Sequence, residues 1–483
     1  VLRQATKHGG LLANLHVHIS AMTTTSRTIP YVVASALFME GMDATILATA
    51  LPTIARDLGI DAISLKLAIT SYLVGLAIFI PVSGWVADRF GAKSTFRTAV
   101  GLYVLASIGC ASSTSVEGFV AWRFLQGVGG AMMTPVGRMV IIRSVPKGQL
   151  VAALSALTIP ALFGPILGPL VGGVIVTYAD WRWIFLVNVP IGVAGIVLAT
   201  LYFDDDRPEP TPLDGTGFAL SALALTSLIA GATLLGRSYA PPLVVAGAFA
   251  IGAAAAIAYV RHARAVEAPL LDLRLFALPT FDAGITGGAL FRIAIGASAF
   301  LMPLMLQIGL GYDAMTSGAL TFLSAIGAVV MKFCGKAILD RFGFRRVLVV
   351  NAVLSVGSVA LLAGIGPSTP LVVIALMIFA TGLTRSLQFT SLHALTYADV
   401  EPKQAGAASA ISSVAQQISL AVGVTIGALA LELSQASAGR AEPAVADFAV
   451  ALITVSAIAL TCAAKMYALP ADAGHKLTNG DGH

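Results

Sequence analysis

Apolar residues run in continuous stretches of about twenty along most of the chain, separated by short polar loops. Each stretch is long enough to cross a hydrocarbon core of roughly 30 Å as a helix. Lipid offers backbone N–H and C=O groups no partner, so a repeated span must be a helix or part of a closed barrel. The runs are continuous rather than alternating in twos, which excludes the barrel. The pattern predicts an all-α polytopic membrane protein. Its spans are expected at 31–51, 66–87, 95–113, 118–142, 149–177, 182–203, 216–235, 241–260, 281–308, 315–338, 346–365, 370–396, 404–433 and 446–467.

Composition agrees with lipid as the main solvent. Of 483 residues, 57% are hydrophobic and only 11% charged, with a mean hydropathy of +0.88. The net charge of +5 sits in loops, so it reports topology rather than nucleic-acid binding. Alternate loops hold Arg89, Lys93 and Arg97; Arg143 and Lys147; Arg207; Arg261, Arg264 and Arg274; Lys336, Arg341, Arg345 and Arg346; and Lys403. The opposite loops hold Arg56, Lys66, Arg182, Arg237 and Arg440. The richer set is expected in the cytoplasm, and an even number of spans then places both termini there; the expected location is a bacterial inner membrane. The first 21 residues lack a cleaved-signal pattern and read as a leader before Met22. Cys110, Cys334 and Cys462 have the spacing of neither a zinc site nor a disulfide framework and read as small packing residues.

One short pattern occurs twice. Gly84-Trp85-Val86-Ala87-Asp88-Arg89-Phe90-Gly91-Ala92-Lys93 follows the second span, and Asp340-Arg341-Phe342-Gly343 follows the tenth. The duplication predicts two six-helix halves with two helices inserted between them. The expected divisions are a leader at 1–29, a first bundle at 30–203, an inserted pair with its linkers at 204–280, a second bundle at 281–467 and a tail at 468–483. Gly91 and Gly343 permit a tight turn, and Asp88 can accept hydrogen bonds at a helix N-terminus. The corner reads as a breakable cytoplasmic gate formed by Gly84, Asp88, Arg89, Gly91, Lys93, Asp340, Arg341 and Gly343. A solvated basic loop is the plainer reading of either copy alone.

These motifs resemble the major facilitator superfamily, specifically its fourteen-helix drug:proton antiporters of the EmrB/QacA type, and within them the MdtD-type members. The resemblance spans about residues 30–467. Besides the corner, it rests on Met42-Asp43-Ala44-Thr45-Ile46-Leu47-Ala48-Thr49-Ala50-Leu51-Pro52, on Arg123-Phe124-Leu125-Gln126-Gly127-Val128-Gly129-Gly130, and on Gly164-Pro165-Ile166-Leu167-Gly168-Pro169-Leu170-Val171-Gly172-Gly173. Trp181-Arg182-Trp183-Ile184-Phe185, with Asn188 and Pro190, is similar to the sixth-helix entry. The resemblance implies export by antiport and a part for Arg123 in proton coupling.

Asp43 lies inside the first span, and Glu40 precedes it by one turn on the same face. A carboxylate at membrane depth faces a cavity or a partner, so Asp43 reads as a proton site and Glu40 as its neighbour nearer the entrance. A structural acid paired with a basic residue is the alternative. Arg123 in turn needs a carboxylate or carbonyl partner unless it snorkels to the interface. Gly164, Gly168 and Gly172 line one helix face that permits close approach, while Pro165 and Pro169 loosen the helix between them. With Gly173 they are expected to form a pliable seam between the halves.

Gln126, Arg292, Met302, Gln307, Lys332, Arg385, Gln388 and Gln416 are the candidate substrate-cavity residues. Their arginines attract anions, although Arg292 could equally neutralise Asp43. The sequence shows no nucleotide domain, no nucleophile or metal cluster and no pore loop, which speaks against an ATP-driven pump, an enzyme and a channel. The expected function is proton-coupled export of amphipathic drugs by alternating access, by a monomer that needs no cofactor beyond the proton gradient. Its partners are a small-molecule substrate, protons and the lipid bilayer. Export of citrate-like organic acids is the alternative.

Overall fold

The computed structural model describes residues 24–145, 150–204, 212–234, 241–267, 269–401 and 404–470. The leader through Met22, Lys147, Asp205, Asp206, Arg207, Arg237, Lys403 and the end of the tail lie outside these. The described residues contain helices and no strand.

The helices of the N-terminal set are α1 (Thr24–Asp57), α2 (Lys66–Phe79), α3 (Ser83–Phe90), α4 (Ala92–Ala111), α5 (Val116–Ser144), α6 (Leu150–Tyr178) and α7 (Asn188–Tyr202). A pair follows, α8 (Gly215–Leu234) and α9 (Pro242–Ala265). The C-terminal set is α10 (Gly288–Leu304), α11 (Ala314–Phe342), α12 (Phe344–Leu361), α13 (Leu371–Thr396), α14 (Ala405–Ser437) and α15 (Val445–Leu460). Among the described residues, twelve helices are long and apolar enough to cross a membrane. Two further helices, α5 and α6, have 29 residues each.

Most apolar runs become helices within a few residues of the expected limits, with local exceptions. The second span is interrupted at residues 80–82, between α2 and α3. The ninth is not a uniform rod, because a turn of π-helix flanks α10 on each side, at Ala283–Gly287 and Met305–Gly309. Pro303, inside α10, has no N–H to give the ladder, and such loosened turns often mark functional segments. By contrast α6 continues as α-helix through Pro165 and Pro169.

Each set packs mainly on itself. In the N-terminal set, α1 packs on α6, α4 on α5 and α2 on α5; in the C-terminal set, α11 packs on α13 and α10 on α14. Glycines bring these helices close. A Cβ on Gly75 would lie 2.6 Å from the Phe124 carbonyl, and Gly127 reciprocates against Tyr72. Gly327 and Gly382 make the same exchange between α11 and α13. Lipid supplies no hydrophobic drive between helices, so such backbone approach carries much of the cohesion. The sets meet where α6 touches α11, α2 touches α14 and α1 touches α10. The pair α8/α9 packs on itself, and α8 touches both α2 and α14 beside that seam. Large apolar side chains such as Leu201, Leu243 and Val372 are exposed on the outside, as lipid contact requires.

Both corners adopt the same conformation. Gly91 ends α3 at φ +86° and Gly343 ends α11 at φ +75°, values that side chains with a Cβ rarely reach. This feature defines the basic end of the molecule.

Candidate functional site

Asp43 of α1 is completely buried and is the focus of a polar network. Arg123 Nη1 donates to Asp43 Oδ2 at 2.5 Å and to Gln126 Oε1 at 2.6 Å. Gln126 Nε2 donates to Asp43 Oδ1 at 3.1 Å and to Ser107 Oγ at 2.9 Å. Asn188 Nδ2 reaches the same Asp43 oxygen at 3.5 Å. The Arg123 guanidinium lies 4.5 Å from the centre of the Tyr72 ring. Five helices, α1, α2, α4, α5 and α7, thus meet around one carboxylate and one guanidinium. The pair is held in a low-dielectric interior with further hydrogen bonds from Gln126 and Asn188 to Asp43, and from Arg123 to Gln126 and the Ala68 carbonyl.

This arrangement settles the partner of Asp43, which is Arg123 rather than Arg292. It also moves Gln126 from the expected cavity wall into the Asp43 network, since its side chain is consumed by Asp43, Arg123 and Ser107. Glu40 lies one turn towards the basic end. It accepts a hydrogen bond from Thr134 at 2.8 Å and lines a cavity of about 340 Å³ with Tyr72, Phe300, Gln416 and Val424. Both helix sets contribute to that wall.

A second cavity, of about 110 Å³, shares Ala44, Ala48 and Ala299 with the first. It is lined by Thr45, Thr49, Pro165 and Pro169 from one set and by Met302, Ser324, Thr381 and Arg385 from the other. Arg385 and Met302 therefore lie at the seam, as does Gln416.

The other expected cavity residues are elsewhere. Gln388 is fully buried between α12 and α13, where it accepts from Asn351 at 2.9 Å and donates to the Leu348 carbonyl. Lys332 is exposed and lines a groove of about 280 Å³ with Lys336 and Asp340 at the basic end. Arg292 is buried, curls back over Gly288 and stacks 5.4 Å from the Phe389 ring centre. Gln307 donates to the Thr49 carbonyl at 2.9 Å, joining the two sets away from the basic end.

The glycine motif of α6 also divides differently from expectation. Gly164, Gly168 and Gly172 face α1, where added Cβ atoms would meet Phe38, Met42, Thr45 and Ile46. That contact is within the N-terminal set, not between sets. A helix turns 100° per residue, so Pro169 and Gly173 fall on the neighbouring stripe. They meet Gly318 and Ala314 of α11 and form the contact between sets. Pro165 abuts Gly41 and also borders the cavity.

The corners differ in their partners. Asp88 does not cap a helix N-terminus but accepts from Arg143, at the end of α5, at 2.7 Å. Among the described residues Asp340 pairs with Lys336 on its own helix, an exposed contact of small worth. Arg341 stacks on Phe342, Arg89 is exposed, Lys93 is half-exposed, and Gly84 lies near Met139. Cys334 is exposed rather than packed.

One feature escaped the sequence reading. Lys66, counted there among loop charges, is 3% exposed and donates to Glu432 Oε1 at 2.9 Å. The pair joins the start of α2 to the far part of α14, and so bridges the two sets. An acidic residue within the last turns of an apolar run was the available signal.

A multi-pass helical protein whose two sets enclose largely apolar cavities beside a buried ion pair has the build of a membrane transporter. The family model described as Major Facilitator Superfamily matches residues 33–424 and 284–478. A relative in Haemophilus influenzae, named as transport protein HsrA, is 38% identical over 85% of this chain and 90% of its own. One in Salmonella paratyphi B, named as multidrug resistance protein MdtD, is 37% identical over 83% and 85%. The fold is shared with a solved D-xylose–proton symporter, at TM-score 0.65 and 15% identity over 92% of this chain and 98% of that one. An auto-inhibited POT family peptide transporter gives TM-score 0.67 at 16% identity over 91% and 96%. The chain belongs to the Major Facilitator Superfamily and is a transporter, not an enzyme.

Proposed function

We propose that the protein is a proton-coupled antiporter that exports amphipathic small molecules by alternating access. The observation that carries this reading is the fully buried Asp43–Arg123 pair beside a cavity shared by both helix sets. In the proposed cycle a proton binds Asp43 and neutralises it. Arg123 then loses its counter-charge and keeps the Gln126 carbonyl and the Tyr72 face. Release of the proton on the other side restores the pair. Because the network reaches five helices, a change at one carboxylate is felt throughout the N-terminal set, and rocking of one set against the other follows.

In the same reading the chain makes fourteen spans as six, two and six, with α5 and α6 added to the other twelve helices. The bundles are 30–203 and 281–467, and 204–280 is the insertion. The basic end faces the cytoplasm of a bacterial inner membrane, with both termini on that side, and one chain is the working unit. The names of the multidrug-resistance relatives support drugs or dyes as substrates.

The test uses proteoliposomes carrying ethidium and an imposed pH gradient. Acid on the face away from the basic end should drive ethidium towards that face, and an ionophore that collapses the gradient should stop it. Ethidium movement indifferent to the gradient would reject proton coupling.

A further inference from the structure

We propose that Arg385 is the centre of a carboxylate-binding subsite, so that molecules with an anionic end are among those the central cavities receive. This rests on the reading above that the central cavities receive substrate.

Arg385 projects into the cavity of about 110 Å³, and no charged group lies near enough to offset its burial. Among the described residues it makes neither an ion pair nor a protein hydrogen bond. A guanidinium at membrane depth with no counter-charge is costly, and such groups mark ligand pathways. No acidic residue lines this cavity. The hydroxyls of Ser298, Thr321 and Thr381 donate to carbonyls of their own helices and are spent. Thr49 Oγ1 is different. It is buried, borders the same cavity and has no hydrogen-bond partner. The Arg385 guanidinium thus faces this space with its donors idle, Ser324 borders it with no hydrogen bond among the described residues, and the buried Thr49 hydroxyl lies in the wall contributed by the other set.

A carboxylate fits that donor set. Its oxygens accept two parallel N–H bonds from the guanidinium fork, and its spare lone pairs suit a hydroxyl. In the smaller cavity an ammonium group would meet a like charge and no acceptor carboxylate, since the Glu40 carboxyl lies in the wall of the adjoining one. The volume near Arg385 takes the carboxylate, and the adjoining cavity of about 340 Å³, walled by Tyr72, Leu73, Phe300 and Val424, takes an apolar body. The ligand class is therefore an amphipathic carboxylate. Because the cavity wall comes from both sets, the bound anion sits between them.

The test is equilibrium binding to the purified full-length protein in lipid nanodiscs, with no gradient applied. The probes are phenylacetate and phenethylammonium, which share an apolar body and differ in the sign of the charged end. Phenylacetate should bind the wild type, with affinity lower by about tenfold or more in Arg385→Gln, the loss expected from a charge-assisted pair. Arg385→Lys should fall between the two, and Thr49→Val should weaken binding by a few fold. Phenethylammonium should be insensitive to all three. Undetectable phenylacetate binding to the wild type, unchanged affinity in Arg385→Gln, or tighter binding of phenethylammonium would each overturn the subsite. The melting transition of each variant in the same nanodiscs separates lost binding from lost folding, and Thr49→Val removes only a hydroxyl. Failure here leaves gradient-driven ethidium transport standing, and failure of that transport leaves the binding result standing.

Discussion

Asp43 and Arg123 differ from an ordinary ion pair in being each other's one charged partner in a buried hydrogen-bond network among the described residues. Both are buried, and the groups around them are neutral amides and hydroxyls. Removing one member of such a pair leaves the other uncompensated, at a cost of about 3–5 kcal/mol. Asp43→Asn should therefore strand the Arg123 charge, and Arg123→Gln should strand the carboxylate. The double variant Asp43→Asn/Arg123→Gln should be more stable than the sum of the single losses predicts. Thermal unfolding of the three variants in detergent reads this coupling, and strict additivity would mean the pair is not linked in the membrane-embedded fold.

Asp214, just before α8, is a second acid whose surroundings explain its behaviour. Burial acts against its charge, but the Gly217 N–H, the His262 ring and the Leu270 N–H hold its carboxyl below the usual carboxylate range. A lowered folded value stabilises the protein above the unfolded carboxylate range, near pH 4, and that contribution fades as pH falls through the folded value. Asp214→Asn should lower the melting temperature at pH 7. The gap from wild type should close only in strong acid, below about pH 4. Melting curves across pH check both.

At the scale of elements, the contacts between the two sets are concentrated where α6 meets α11 and α2 meets α14. Lys66–Glu432 and Gln307–Thr49 join them at the end away from the corners, and Gly173 and Gly318 let α6 and α11 meet. Lys66→Ala should loosen that end and raise maleimide reactivity of a cysteine placed at Ser317, which is fully buried and receives a hydrogen bond from Gln307. The charge swap Lys66→Glu/Glu432→Lys should return reactivity towards the wild-type level. Equal labelling of all three proteins would show that the pair does not hold the sets together. The glycine stripe predicts a different failure. Gly168→Ala drives a methyl into Thr45 and to within 2.9 Å of the Met42 carbonyl, neither of which is the loose end of a flexible side chain. Overpacking of this kind costs about 1–3 kcal/mol, so the variant should melt earlier, with α1 displaced beside Asp43. Gly59→Ala, where a Cβ would meet nothing but φ is +66°, makes the backbone-strain comparison.

At the scale of the whole molecule, most of the helices were legible because lipid enforces continuous apolar runs. The corner was legible because a backbone conformation open to glycine recurs at Gly91 and Gly343. Partners across the bundle were not. Asp43, Ser107, Arg123 and Asn188 are separated by many residues, and spacing within one helix carries no information about which helix lies opposite. The same limit explains why Gln388 and Gln126 read as cavity residues when each is satisfied inside its own set. It also explains the glycine stripe. Small residues announce that something packs closely, yet only the rotation of α6 decides that Gly164 meets α1 and Gly173 meets α11.

The central claim is that Asp43 couples substrate movement to proton movement, and one comparison tests it most directly. In proteoliposomes, Asp43→Asn should lose gradient-driven ethidium transport while retaining ethidium–ethidium counterflow, because a neutral residue can still let the sets exchange with substrate bound but has no proton to release. Gradient-driven transport at the wild-type rate in Asp43→Asn would contradict the account.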